Sequence, residues 1–168
     1  MTQREFVSAY IGLGANLGDA RQAIFDAVNA LKQLPLTQVR DCSSLYRSEP
    51  VAAKGPDFFN AVVHLQTQLN PIDLLRACQQ IENRAGRERP YPNAPRTLDL
   101  DVLLFGTASV QSSELCVPHP RMRERAFVLL PLHELAPHLV QEADLLKVKG
   151  QAIQNSSDKN RHKKFINL

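Results

Sequence analysis

The chain has 168 residues, 43% of them apolar and 22% charged, an ordinary balance for one globular domain that excludes a disordered, collagenous or coiled-coil chain. Its 20 Lys and Arg against 17 Asp and Glu leave a net charge of +3, too small by itself to mark a nucleic-acid face. The three cysteines, Cys42, Cys78 and Cys116, are odd in number and lack a C-x-x-C spacing, so they read as reduced, mostly buried thiols.

In chain order, residues 6–13 (FVSAYIGL) predict a first strand that turns into a glycine loop at Gly12, Gly14 and Gly18. Asp19 is placed to cap a helix whose apolar stripe is Ile24, Val28, Leu31 and Leu34, stopped by Pro35. Residues 36–48 read as one second strand and 50–56 as a loop. Residues 58–66 predict a third strand, with Phe58, Asn60, Val62 and His64 on one face and Phe59, Ala61, Val63 and Leu65 on the other. Asn70-Pro71 opens a second helix with Leu74, Cys78, Ile81 and Ala85 on its stripe, ended by Gly86.

After a Pro- and Arg-rich loop over 87–97, residues 98–105 form the clearest strand, and 108–110 with 115–117 form two short hairpin arms. Residues 126–135 predict a third helix, opened at Pro131 and ended by Pro137, and the polar stretch 151–168 reads as an unassigned or frayed tail. The order β-α-β-β-α-β predicts one α+β domain over 1–168. Its architecture is ferredoxin-like, an antiparallel sheet with both helices on one face and C-terminal additions, the other face being left for a site. No secretory leader is legible, and the longest apolar run, 126–132, is far short of a span, so a cytoplasmic protein with no membrane partner is expected.

The chemistry concentrates in residues 95–105. In an extended strand Leu98, Leu100, Val102 and Leu104 point one way and Asp99 and Asp101 the other, their Cβ atoms roughly 7 Å apart. Two carboxylates on one strand face repel each other unless a cation lies between them, and with waters and phosphate oxygens they form the ligand set Mg²⁺ prefers. Alone, the pair reads equally well as two solvated acids on an exposed edge. Arginines alter that balance: Arg84, Arg87, Arg89 and Arg96 precede or overlap the strand, and Arg121, Arg123 and Arg125 follow it. Guanidinium forks beside paired acids point to a Mg–polyphosphate site. Glu82, near the end of the second helix, is either solvated or leans toward that region.

Other constellations are weak. The glycines at 12, 14 and 18 have the wrong spacing for a dinucleotide fingerprint, and no P-loop occurs, so they read as turn chemistry. The histidines are scattered and show no zinc spacing. An RNA-binding module on this fold needs exposed aromatics on its central strands, where Asp99 and Asp101 stand instead, so no nucleic-acid partner is expected. A ligand-sensing domain of the same fold is the remaining alternative.

Residues 95–101 (PRTLDLD) with Phe105-Gly106, then Val117-Pro118-His119-Pro120 and residues 125–129 (RAFVL), resemble the 6-hydroxymethyl-7,8-dihydropterin pyrophosphokinase family. Residues 10–18, 46–50 and 58–61 are similar to its other signatures in kind and order, and the resemblance covers roughly residues 7–140. It implies a ferredoxin-like enzyme, a monomer with two Mg²⁺ ions, that transfers diphosphate from ATP to the hydroxymethyl group of the dihydropterin and leaves AMP. Carried onto this sequence, it implies that Asp99 and Asp101 hold both metals and that Arg87 and Arg96 grip the transferring phosphates. His119 and Arg125 would complete the ATP side, which Leu75, Gln79, Glu82, Arg89 and Val102 also approach. The pterin would lie between aromatic rings, Phe127 being one, with Phe58 nearby and its polar edge read by Asn60 and by backbone around Ser48 and Val51. The chain departs from the family pattern at Pro92-Asn93-Ala94, where an aromatic is usual, and at Glu114 and Pro120.

Overall fold

Alternating burial builds the sheet. The computed structural model describes residues 4–50, 55–86 and 98–156. Strand β1 (Val7–Ala15) sends Ala9, Ile11, Leu13 and Ala15 into one core and turns Tyr10 to the opposite one. Helix α1 (Ala20–Lys32) starts where the Asp19 carboxylate accepts the Gln22 amide at 3.1 Å, and it buries Ile24, Val28 and Leu31. Strands β2 (Thr37–Cys42), β3 (Tyr46–Ser48) and β4 (Phe58–Thr67) precede helix α2 (Pro71–Arg84). The Asn70 side chain caps α2 by accepting from Asp73 N at 2.8 Å, and Gly86, at φ +86°, follows it. Strand β5 (Asp99–Phe105) is followed by the small hairpin β6 (Val110–Gln111) and β7 (Cys116–Val117), then α3 (Ala126–Leu135), α4 (Glu142–Val148) and β8 (Ile153–Asn155).

The main sheet runs β5-β1-β4-β3-β8, with β2 pairing the remaining length of β4, and every pairing is antiparallel. Its α1 and α2 face carries the larger core, including Ile24, Leu31, Leu65, Leu74 and Leu98. This is the ferredoxin-like arrangement. The opposite face is only half open, because α3 lays Ala126, Leu129 and Leu132 over Tyr10, Val62 and Leu103. The expected opening at Pro131 is absent: α3 runs through this buried proline without a break.

Three expectations give way to tertiary contacts. Residues 36–48 form two strands instead of one. Ser43 Oγ accepts the Val62 amide at 2.9 Å, and the Glu134 carboxylate on α3 accepts from Ser44 N at 3.0 and 3.1 Å, Ser44 Oγ at 2.6 Å and Tyr46 Oη at 2.8 Å. Hydroxyls and a carboxylate thus take over much of the ladder at the junction, where Ser43 N still donates to Val62 O at 2.9 Å. Leu104 does not share a side with Val102, because Tyr10 pairs Leu104 while Ile11 pairs Val102, leaving Leu103 as a bulged residue. Leu103 and Leu104 then face α3, and Phe105 returns to the larger core. The polar tail is structured in its first part: β8 pairs Ile153 with Ser48 and Asn155 with Tyr46, giving the outer edge of β3 a partner.

All three thiols are free, with Cys42 and Cys78 buried and Cys116 exposed. Burial, helped by Asp41 and Glu82 respectively, pushes both buried thiols up to about 12, which makes them inert packing groups. Among the described residues no helix is long and apolar enough to cross a membrane.

His64 gives the fold a measurable pH dependence. It stacks on Tyr10 with ring centroids 4.6 Å apart, and its Nε2 lies 3.0 Å from Ser8 Oγ. Burial holds it below the ordinary 6.5 against the opposing charge of Asp41. As pH falls through 6.5 the unfolded chain takes up this proton before the folded one does. The contribution is therefore whole above pH 6.5 and declines below it until the folded-state group also titrates. Urea midpoints measured across that range should rise with pH more steeply in the wild type than in His64→Phe, and identical slopes would rule the effect out.

Candidate active site

The site grows from the register of three strands. Gly14 of β1 pairs Asp99 on one side and Asn60 on the other, and Gly12 pairs Asp101 and Val62. Gly12 and Gly14 are strand residues rather than the turn residues expected, whereas Gly18, beyond the strand at φ +60°, makes the left-handed turn that was expected. Without side chains, Gly12 and Gly14 leave a bare floor. A Cβ on Gly14 would stand 3.2 Å from Asn60 Oδ1, and one on Gly12 would stand 3.4 Å from the Leu103 side chain. The acids and Asn60 thus sit at opposite ends of a gap two strand spacings wide, roughly 10 Å.

Above this floor is a cavity of about 480 Å³. Asp99 and Asp101 line one end, Ser48, Phe58 and Asn60 the other, and Arg121, Arg125, Phe127 and Val128 come from the start of α3 and the turn before it. Asn60 donates through Nδ2 to Ser48 Oγ at 2.9 Å, which turns its Oδ1 toward the bare floor at Gly14. The Arg125 guanidinium lies 5.3 Å from the centre of the Phe127 ring, within cation–π range. Burial and the neighbouring Arg121 lower the Arg125 pKa while Asp101 opposes the shift; a guanidinium remains charged regardless.

His119 follows the cis Val117–Pro118 peptide and donates its amide to Leu103 O at 2.9 Å. Its Nδ1 accepts the Arg121 amide at 3.2 Å, so the neutral ring carries its proton on Nε2. Burial lowers its pKa and the Asp101 charge opposes that.

The expected residues divide into three groups. Asp99, Asp101, Ser48, Phe58, Asn60, Arg125 and Phe127 converge on the one cavity, with His119 within electrostatic reach of Asp101 and Arg125. Leu75, Gln79 and Glu82 lie on α2, which packs beside β5 on the helix face. There Glu82 is 5% exposed and its Oε1 accepts the Leu100 amide at 3.0 Å, while Val102 is 3% exposed in the larger core, so β5 presents its main chain there. Val51, Arg87, Arg89 and Arg96 lie outside the described residues, as do Pro92, Asn93 and Ala94. The sequence reading missed Gly12 and Gly14 as a floor, although apolar alternation at Ile11, Leu13 and Ala15 continues through them. It also missed Glu49, Glu124 and Gln151 as lining residues, which carry no local signal.

Comparison with known proteins identifies the family. The family model described as 7,8-dihydro-6-hydroxymethylpterin-pyrophosphokinase matches residues 10–137. The 2-amino-4-hydroxy-6-hydroxymethyldihydropteridine pyrophosphokinase of Bacillus subtilis is 40% identical over 159 residues, covering 94% of this chain and 95% of that protein. The protein of the same name from Pseudomonas aeruginosa is 48% identical over 131 residues, covering 77% of this chain and 81% of that one. Among solved structures, Plasmodium falciparum HPPK-DHPS, wild type with pteroate, aligns at a TM-score of 0.62 and 14% identity over 80% of this chain and 39% of its own length. The chain thus spans about two-fifths of that structure, and the likeness bears on the fold alone. A bare-floored cavity with paired acids at one end and an amide at the other, together with these matches, places the chain in the 7,8-dihydro-6-hydroxymethylpterin-pyrophosphokinase family.

Proposed function

We propose that the chain transfers the diphosphate group of ATP to the hydroxymethyl group of 6-hydroxymethyl-7,8-dihydropterin, a step of folate biosynthesis. The observation that carries this reading is the row Asp99, Gly14, Asn60 across three strands. A fused bicyclic ring fits flat over the glycines, with its polar edge at Asn60 and Ser48 and its hydroxymethyl arm directed to the acids. Phe58 and Phe127 supply aromatic surface beside the ring.

Asp99 and Asp101 offer hard carboxylate oxygens on one strand face, a donor set suited to Mg²⁺ sharing its other positions with phosphate oxygens and water. They would hold the two ions, which when bound would neutralise phosphate charge and ease attack by the hydroxyl. The hydroxyl oxygen bonds to the β-phosphorus, the bond from that phosphorus to the α–β bridging oxygen breaks, AMP leaves with that oxygen, and the hydroxyl proton passes to solvent. Arg125 contributes fixed positive charge at the phosphate end, and His119 with its Nε2 proton is a neutral donor beside it. Arg87, Arg89 and Arg96 are assigned to the phosphates, and Leu75, Gln79, Glu82 and Val102 to the nucleotide side, on the family resemblance.

The test is direct. Protein incubated with Mg-ATP and the dihydropterin should form AMP and pterin diphosphate in equal amounts, and chelation of the metal should stop it. Formation of ADP, or no AMP from folded protein, would overturn the reading.

A further inference from the structure

Helix α3 begins without a cap from its own neighbourhood: Arg125, its N-cap residue, makes no side-chain capping bond. The first amide is satisfied from 25 residues away, because Ala126 N donates to Gln151 Oε1 at 2.9 Å. The same carboxamide donates through Nε2 to Glu124 O at 2.8 Å. Only one orientation of the amide satisfies both bonds, so oxygen and nitrogen are assigned by their partners. Glu124 O and Ala126 N are the main-chain groups on either side of Arg125. Gln151 therefore grips the backbone of Arg125 in the manner of a sheet partner, at φ −121° and ψ 114°.

Gln151 is itself held. Its amide donates to Val148 O at 3.0 Å at the end of α4, and two residues later Ile153 pairs Ser48. Glu49 N reaches Ala152 O at 3.3 Å. The segment that reads as a polar tail thus links the β3 wall of the cavity, at Ser48, to the wall carrying Arg125 and Phe127.

We infer that Gln151 is a positioning residue for the diphosphoryl transfer: its carboxamide fixes the main chain on both sides of Arg125 and so aims the guanidinium into the cavity. This rests on the assignment of Arg125 to the phosphates. Gln151 carries no charge and spends its carboxamide on the main chain around Arg125, so it acts through Arg125.

The experiment compares wild type, Gln151→Met, Arg125→Ala and the double variant by steady-state kinetics well below their melting temperatures. Methionine keeps the length of the side chain and removes both hydrogen bonds. The expected result is a rise in KM for ATP of roughly 5- to 20-fold in Gln151→Met, the effect of one or two lost hydrogen bonds, with faster exchange of the Ala126 amide. On the Arg125→Ala background the same change should add little, which a merely structural role would not produce. Gln151→Glu, which keeps the acceptor for Ala126 N, should restore that amide's protection. Wild-type KM in Gln151→Met beside a raised KM in Arg125→Ala overturns the inference alone. No effect of Arg125→Ala overturns the assignment of Arg125 and the inference with it.

Discussion

Asp101→Asn will lower kcat by on the order of 10³-fold or more, the scale of several kcal/mol of lost charge stabilisation at the transferring phosphates. The substitution keeps the shape of the side chain and removes its charge, at a strand position whose neighbour is Gly12. Affinity for the dihydropterin should change little, because Asn60 and Ser48 lie at the other end of the floor. Asp99→Asn should behave alike, since both carboxylates share one strand face. Steady-state rates of AMP formation with a parallel pterin titration check this. A kcat within tenfold of wild type in both variants would remove the acids from the mechanism.

The second large effect is steric. Gly14→Val will abolish measurable pterin binding, roughly a 100-fold or greater loss, while an ATP analogue still binds. The Cβ alone would stand 3.2 Å from Asn60 Oδ1, and the two methyl groups would occupy the floor beside it. Folding should survive: Gly14 has no positive φ, and valine is at ease in a strand. Gly14→Ala should fall between the two. Fluorescence titration with the pterin distinguishes the series, and wild-type affinity in the valine variant would show that the ring does not lie there.

These predictions also mark what the sequence made legible. Period-two alternation assigned both faces of β4 correctly and brought Asp99 and Asp101 onto one face. The caps at Asp19 and Asn70 and the stop at Gly86 are local chemistry, and each stands where the residues indicate. The failures share a cause in contacts distant along the chain. Residues 36–48 divide because Glu134, 90 residues from Ser44, accepts its amide and hydroxyl. Leu103 leaves the alternation because a bulge opposite β1 suits α3, and residues 153–155 become a strand because β3 offers an edge. Gly12 and Gly14 misled for another reason: glycine in a loop and glycine in a strand look the same until the strand pairing is known.

The Glu82 carboxylate has a consequence beyond the site. Among the described residues strand β5 borders the main sheet, with β1 its strand neighbour, and Leu100 directs its amide outward to Glu82 Oε1. A bare border is a template on which a second molecule can add a strand. A carboxylate from the chain's own helix already holds that hydrogen bond, so a strand from a second molecule could pair at Leu100 only by displacing Glu82, and the fold guards the outer side of the strand that bears the two acids.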